Sequence, residues 1–331
     1  MTRPLRILTW PIHGKYLYNL AHTSHEFYLP VKQGQSEGYD GRLSGFSWPD
    51  NVFDVPAAEV KNLELDAILF QSQRNYEVDQ YEILTGAQRQ LPRIYLEHNP
   101  PGEHPTNTCH PVDDPNVLLV HVTHFNKIMW HSGRTPTHVI EHGVVVPKDV
   151  RYSGEREQGL VIVNGLLTHG RLCGADIFTE VRRQIPLELV GMKAEQMDGV
   201  GEIAHDQLHA FAAHYRFFFN PIRYTSLGLT VCEAMMIGMP IVALATTEMA
   251  TTITNDVSGF VSNDLDWLID RMNDLLIYPE EARRLGYGAY CYAQEHFSIR
   301  RFSHEWTETL RFVIGSQTPM WSMPDAAAVM A

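Results

Sequence analysis

Cysteine is scarce in this 331-residue sequence, and no two cysteines have the spacing of a metal or redox motif. The four cysteines lie dozens of residues apart, at Cys109, Cys173, Cys232 and Cys291. Because there is no Cys-x-x-Cys pair, the sequence predicts neither a zinc knuckle nor a redox dithiol. A disulfide framework is not expected in a chain of this length.

The sequence also lacks long apolar runs and an excess of positive charge. No stretch approaches the roughly 18 apolar residues of a membrane span, and the first apolar run is too short for a secretory signal. We therefore expect a cytoplasmic protein without an integral membrane segment, and peripheral membrane contact stays open. The formal net charge is −13 at pH 7, which argues against nucleic acid as a partner.

Several familiar catalytic signatures are absent as well. The sequence contains no P-loop, no G-x-S-x-G elbow and no G-x-G-x-x-G fingerprint. Histidine is abundant, with 17 residues, and His121 and His124 form an H-x-x-H pair. If both lie on one strand, residues three apart point to opposite faces and do not converge on an ion. We therefore predict no metal site.

Short apolar runs alternate with segments of helical periodicity along the chain, which predicts an α/β protein. Runs such as LVIV, FFF and IVAL are apolar at every position, as in parallel strands covered by helices on both faces. The predicted strands are Arg6–Ile12, Asp66–Phe70, Arg93–Glu97, Val117–Val122, Thr137–Ile140, Leu160–Val163, Leu187–Val190, Arg216–Phe219 and Ile241–Ala245. The predicted helices are Ala175–Gln184, Ala204–His214, Leu229–Ile237, Asp264–Leu276, Glu280–Glu295 and Ile299–Ile314.

The most informative segment is 220–243, NPIRYTSLGLTVCEAMMIGMPIVA. It predicts a loop at the carboxyl end of a buried strand, a helix that opens near Gly228, and a second buried strand. Gly238 suits the left-handed position after a helix, and Pro240 cannot continue one. A helix N-terminus at such a loop binds anions through free N–H groups and the helix dipole. Glu233 falls about one turn inside this helix. From there its carboxylate can reach past bound phosphates and accept hydrogen bonds from ribose hydroxyls.

This segment resembles the EAMAxGxPVVA signature of family-four retaining glycosyltransferases, which have the GT-B fold. The likeness extends to PTHVIEHGV (Pro136–Val144), GADIFTEVRRQIPLELVG (Gly174–Gly191), the SGFV turn (Ser258–Val261) and Pro279–Trp306. It covers most of residues 136–310. The resemblance implies two Rossmann-like, doubly wound domains that face a central cleft.

The resemblance also assigns boundaries to these domains. Residues 1–142 would form an acceptor-side domain, 143–158 a linker, and 159–297 a domain that binds the nucleotide sugar. Residues 298–315 would form a C-terminal helix that returns to the first domain, and 316–331 a tail.

On the sugar-donor side, the resemblance assigns roles to Glu233 and to the loop before its helix. Glu233 matches the second glutamate of the family's motif, which is associated with the ribose. The first glutamate, which usually contacts the transferred sugar, corresponds to Thr225. Ser226, Leu227 and Gly228 match the loop whose amides face the phosphates. For the cation that grips the diphosphate, Arg171 is predicted as the only nearby candidate.

On the acceptor side, the resemblance points to His98 and Gly14. RIYLEHNPP places His98 where the family keeps a histidine beside the transferred sugar. PIHGKY is similar to the short loop after strand one, with Gly14 as its pivot.

Each assignment has a plainer alternative. Alone, a Glu-Ala pair in a helix would indicate that Glu233 belongs to a solvated face. Arg171 would be part of an ordinary surface ion pair, and Gly228 would be only a turn residue. His98, at a strand end, would be a histidine with a structural hydrogen bond.

The function implied is transfer of a sugar from a nucleoside diphosphate sugar to an acceptor that the sequence does not identify. The resemblance implies retention of anomeric configuration, with His98 and Arg171 as catalytic residues and with no metal or other cofactor. Two alternatives remain. One is an epimerase or hydrolase acting on a nucleotide sugar. The other is a module that binds such a sugar without catalysis, which the threonine at position 225 favours. The sequence does not predict the oligomeric state.

Overall fold

The computed structural model describes residues 3–34 and 37–315, and these form two compact units. Unit 1 contains the described residues up to Glu141 together with those from Phe302 onwards, and unit 2 runs from His142 to Arg301. The predicted tail, 316–331, lies outside the described residues.

Unit 1 is built on a seven-stranded parallel sheet. In chain order its strands are β1 (Arg6–Thr9), β2 (Glu26–Val31), β3 (Val52–Pro56), β4 (Ala67–Phe70), β5 (Arg93–Glu97), β6 (Val117–His121) and β7 (Thr137–Val139). They lie side by side in the order β3-β2-β1-β4-β5-β6-β7. Strands β4 and β6 are buried at every position, as expected for strands covered on both faces. The order reverses between β1 and β4, which is the topological switch point of this doubly wound sheet.

The helices of unit 1 are short. They are α1 (Gly14–Leu20), α2 (Gln80–Ile83) and α3 (His124–Met129). Short 3-10 segments occupy Ala57–Asn62 and Gln88–Gln90, and a π-helical turn occupies Asn75–Asp79. His124 is the first residue of α3 and His121 the last of β6, so the premise that both lie on one strand is wrong.

Unit 2 contains a five-stranded parallel sheet. Its strands are β8 (Arg156–Ile162), β9 (Leu187–Val190), β10 (Tyr215–Asn220), β11 (Ile241–Leu244) and β12 (Gly259–Ser262). Their order is β12-β11-β10-β8-β9, so the switch point lies between β8 and β10. Strand β8 begins within the predicted linker, and β12 replaces a predicted turn, SGFV, because Gly259–Ser262 pairs with β11 along four residues.

The helices of unit 2 cover both faces of its sheet. They are α4 (Leu166–His169), α5 (Ala175–Val181), α6 (His205–Ala212), α7 (Leu229–Ile237), α8 (Met249–Thr252), α9 (Leu265–Ile277) and α10 (Pro279–His296). A last helix, α11 (Ile299–Gly315), begins in unit 2 and continues into unit 1. Asp264 caps α9 by accepting a hydrogen bond from Trp267 N at 3.1 Å, and Pro279 opens α10. Among the described helices, none is long and apolar enough to span a bilayer.

Helix α7 ends in the way that its sequence predicts. Gly238 has φ +97°, its N–H donates to Met235 O at 3.0 Å, and Met239 N donates to Ala234 O at 2.9 Å. These are the two hydrogen bonds of a Schellman motif, which requires a left-handed residue at this position. A Cβ on Gly286 of α10 would lie 2.1 Å from Gly238 O. Glycine at position 286 therefore lets α10 pack directly against the end of α7 and fix its place.

Candidate functional site

In unit 2, candidate site residues gather at the carboxyl ends of β8 and β10, on either side of the switch point. The segment from Val163 to Gly174, which includes the short helix α4, follows β8, and the loop from Pro221 to Gly228 follows β10. The two loops touch closely, since a Cβ on Gly174 would lie 2.0 Å from Pro221 O. Gly174 also has φ +82°, so both the contact and the backbone require glycine. Ligands of open α/β sheets bind in the crevice at such a switch point.

Two arginines share one carboxylate between these loops. Arg223 donates from Nη1 to Asp176 Oδ1 at 2.6 Å and from Nη2 to Oδ2 at 2.8 Å. Arg171 donates from Nη1 to Oδ2 of the same carboxylate at 2.5 Å. Chiefly through the hydrogen bond with Arg223, the pKa of Asp176 falls to about 2. The cluster therefore keeps one positive charge, which is available to an anion.

Sequence analysis named Arg171 as the only nearby cation able to clamp a diphosphate, but the structure places a second arginine, Arg223, beside it. Arg223 makes a bidentate contact with Asp176, and its side chain is 29% exposed, whereas that of Arg171 is 77% exposed. Arg223 also donates to Arg171 O at 2.7 Å and so supports the loop that presents Arg171. The sequence signal for it was available, because Arg223 lies two residues before Thr225 in the predicted loop.

The loop from Thr225 to Gly228 leads directly into α7. Ser226 and Leu227 are buried, and Gly228 is the N-cap residue, with φ −71° and ψ 134°. A Cβ on Gly228 would make only ordinary contacts, so this glycine is not required by space. No acidic residue lies in the first turn of α7, so the positive end of the helix dipole is left for an external anion.

His142 holds this loop in place. Its Nε2 donates to Leu227 O at 2.7 Å, and Arg301 Nη2 donates to His142 O at 2.6 Å. Burial lowers the pKa of His142 to about 4, so the ring is neutral near pH 7. Because a carbonyl oxygen only accepts, the single proton of the neutral ring lies on Nε2. Sequence analysis did not assign His142 a role.

Glu233 is the fifth residue of α7 and is only 3% exposed. It is therefore not part of a solvated face. His209 of α6 is also buried, and its Nε2 lies 3.5 Å from Glu233 Oε1, which is longer than an ordinary hydrogen bond. The structure thus confirms the predicted helix and the position of Glu233 about one turn inside it. Sequence analysis missed the neighbouring His209.

In unit 1, candidate site residues lie at the ends of β1, β4 and β5. His98 follows β5 and is 8% exposed. Its Nε2 lies 3.1 Å from Gln71 Oε1, just beyond β4. The His13 ring lies 3.9 Å from the His98 ring between centroids, and the Tyr16 ring meets it edge-on at 4.8 Å. Burial lowers the pKa of His13.

Gly14 is the first residue of α1, directly after the loop that contains His13. A Cβ at this position would lie 2.3 Å from Leu43 Cδ1, so a larger residue would have to displace that side chain. Helix α1 is also anchored from the C-terminal helix of the same unit, where Trp306 Nε1 donates to Tyr16 OH at 3.0 Å. Tyr16 and Gln71 were not assigned as site residues from the sequence.

No group of three or more His, Cys, Asp or Glu side chains suited to a metal ion occurs in the described ranges 3–34 and 37–315. His121 is fully buried at the end of β6, and within these ranges neither of its ring nitrogens has a hydrogen-bond partner.

Comparison with known proteins agrees with this architecture. The family model described as "Glycosyl transferases group 1" matches residues 172–277, which lie entirely within unit 2 and include Asp176, Arg223 and Glu233. A sequence search of curated proteins finds no match.

Solved structures resemble more than nine tenths of the chain. A sucrose-phosphate synthase from Thermosynechococcus elongatus has a TM-score of 0.67 at 14% identity, with 96% of this chain and 100% of that chain covered. HepE from Anabaena, solved in complex with UDP, has a TM-score of 0.67 at 15% identity, with 92% and 99% covered. AviGT4, a glycosyltransferase of avilamycin A biosynthesis, has a TM-score of 0.60 at 15% identity, with 95% and 99% covered. The fold is thus the GT-B fold, with two α/β units built on parallel sheets.

Proposed function

We propose that this protein is a glycosyltransferase whose unit 2 binds a nucleoside diphosphate sugar and whose unit 1 binds the acceptor. The observation that supports it most is Glu233, a buried carboxylate one turn inside a helix that opens at the switch point of unit 2. The match of residues 172–277 to a glycosyltransferase family model supports the same assignment. UDP-sugars are the first sugar donors to test, because HepE was solved with UDP and with UDP-glucose.

We assign the diphosphate to the loop before α7 and to the arginine cluster. As the sugar–oxygen bond breaks, negative charge grows on the leaving diphosphate. The amides at the start of α7 and the excess positive charge of Arg171 and Arg223 stabilise that charge most strongly in the transition state. Thr225, Ser226, Leu227 and Gly228 form the loop around this position. Glu233 accepts hydrogen bonds from the ribose.

We assign the acceptor side of the reaction to unit 1, where His98 meets the transferred sugar and Gly14 begins the helix after the first loop. Retention of configuration and independence from metal ions are also part of the proposal. The likeness of residues 220–243 to the signature of retaining enzymes supports retention. The arginine cluster supports metal independence, because it supplies the positive charge that a divalent ion provides in other transferases.

Nucleotide binding to Glu233→Gln tests the assignment of the sugar-donor site. Loss of a charged hydrogen bond costs about 1.5–3 kcal/mol, so the variant should bind UDP roughly ten- to a hundredfold more weakly than the wild type. Isothermal titration with UDP, GDP and ADP, each with and without magnesium, measures this. The control is Glu295→Gln, which changes an exposed glutamate on helix α10. A folded Glu233→Gln variant with wild-type affinity would exclude this role for Glu233.

The reaction itself can be followed without knowing the acceptor, because water slowly serves as the acceptor in its place. Donor and water then give free sugar and nucleoside diphosphate. NMR of the fresh product, recorded before the anomers interconvert, should show the anomer of the donor if the enzyme retains configuration. The rate should not change with EDTA. Release of the opposite anomer, or an altered sugar still attached to its nucleotide, would contradict the proposed reaction.

A further inference from the structure

Gln71 has its side chain amide fixed in one orientation at the switch point of unit 1. Its Nε2 lies 2.7 Å from Trp10 O and 2.8 Å from Thr9 Oγ1, and the residue is only 4% exposed. Because the main-chain carbonyl of Trp10 only accepts hydrogen bonds, the amide nitrogen must face it. The amide oxygen of Gln71 therefore points the other way.

That oxygen lies 3.1 Å from His98 Nε2. An amide oxygen only accepts hydrogen bonds, so the proton of a neutral His98 ring must lie on Nε2. The lone pair of the ring then lies on Nδ1. The hydrogen-bond partner of one ring nitrogen thus determines whether the other nitrogen is a donor or an acceptor.

The His98 ring is also restrained by its other neighbours. The ring of His13 lies 3.9 Å away between centroids, and the edge of Tyr16 lies at 4.8 Å. At the main chain, Asn126 Nδ2 donates to His98 O at 3.2 Å. These contacts restrict rotation of the ring, but none of them distinguishes its two tautomers. The hydrogen bond with Gln71 does.

We propose that Gln71 is a positioning residue that holds His98 in the Nε2–H tautomer. A sugar hydroxyl that meets the ring at Nδ1 then donates a hydrogen bond to it, because Nδ1 carries no proton. The part of this inference that concerns sugar rests on the proposed function, whereas the tautomer does not. Thr9 and Trp10 act indirectly: they accept hydrogen bonds from the Gln71 amide and so fix its orientation, which in turn fixes the His98 tautomer.

NMR of protein labelled with ¹⁵N-histidine tests the tautomer directly. Long-range ¹H–¹⁵N correlation distinguishes protonated from unprotonated ring nitrogens, and the His98 signals are identified by their loss in His98→Gln. In the wild type, Nε2 should be the protonated nitrogen. Gln71→Leu removes the acceptor and should shift both His98 signals toward a mixture of tautomers. In Gln71→Glu a carboxylate faces the ring, so His98 should become doubly protonated at a higher pH than in the wild type.

Gln88→Leu is the matched control, because Gln88 is a buried glutamine of the same unit that donates to Val60 O and Leu63 O. It should leave the His98 signals unchanged. A wild-type His98 with its proton on Nδ1, or unchanged signals in both Gln71 variants, would overturn the proposal.

Kinetics then separate this inference from the proposed function. Gln71→Leu should lower kcat for sugar release about tenfold, while the dissociation constant for UDP, which is bound by unit 2, stays at the wild-type value. An unchanged kcat would overturn the positioning role even if the tautomer is as expected. If the wild type hydrolyses or transfers no nucleotide sugar, the proposed function fails, and the NMR result still decides whether Gln71 sets the tautomer.

Discussion

His121 should make the folded protein sensitive to mild acid. Burial, reinforced by nearby His110 and Lys127, lowers the pKa of His121 from 6.5 to about 3. The unfolded chain takes up a proton on this ring as the pH falls through 6.5, but the folded chain does so only near pH 3. Above pH 6.5 neither state is protonated, so stability is lost between these two values as the pH falls. From pH 7 to pH 5 one such group lowers the free energy of unfolding by about 2 kcal/mol.

His121→Leu tests this magnitude, because leucine has a similar size, does not titrate, and leaves no buried ring nitrogen without a partner. Urea unfolding at pH 7, 6 and 5 should show the variant losing about 2 kcal/mol less than the wild type over this range. Replacing the exposed His104 with leucine is the control and should follow the wild-type curve. Some acid sensitivity will persist in the variant, because burial also lowers the pKa of His142, to about 4. Parallel curves for His121→Leu and the wild type would refute the reasoning.

Two further predictions concern the loops of unit 2. Arg223→Ala should weaken UDP binding by about 1.5–3 kcal/mol in isothermal titration, and Arg171→Ala by less. Arg223 is the less exposed of the two and also donates to Arg171 O, so its loss removes one cation and the support of the loop that presents the other. Equal effects would show that the two are interchangeable. Gly174→Ala should lower the free energy of unfolding by about 2 kcal/mol or more, since its φ is +82° and a Cβ would meet Pro221 O. Gly102→Ala, which has open space around it, is the urea-unfolding control, and a matching loss there would contradict the steric argument.

Much of the fold could be predicted because the central strands are apolar throughout. β5, β9 and α7 have the predicted bounds, and the other predicted elements differ by a few residues at their ends, whereas the short helices α1, α2, α3, α4 and α8 were not predicted. β2 and β3 were missed for physical reasons. Pro30 lies within β2, and β3 is an edge strand whose residues are mostly exposed, so neither shows a continuous apolar run. β12 is only four residues long and begins with Gly259, and such a short segment looks like a turn in the sequence.

The site was predictable only where its signal is local. Glu233 could be placed one turn inside α7 because the loop, the helix and Gly238 follow one another in the chain. The presence of Arg223 in the loop could be read from the sequence, but its bidentate contact could not, because the partner is Asp176, 47 residues away. Gln71 connects Thr9, 62 residues before it, with His98, 27 residues after it. Such partners are brought together by strand order, which local periodicity does not reveal.

Thr225 is best understood through the charge of the loop in which it lies. The chain has a net charge of −13, yet no acidic residue occurs between Pro221 and Cys232. Within unit 2, Arg171 and Arg223 together exceed the charge of Asp176 by one, and the first turn of α7 adds the positive end of its dipole. A glutamate at position 225 would add a negative charge at this point, where the proposal places the leaving diphosphate. Threonine keeps a hydroxyl that forms hydrogen bonds and removes that charge. Under the proposed function, threonine at this position changes how the transferred sugar is contacted and leaves intact the positive field at the proposed diphosphate site.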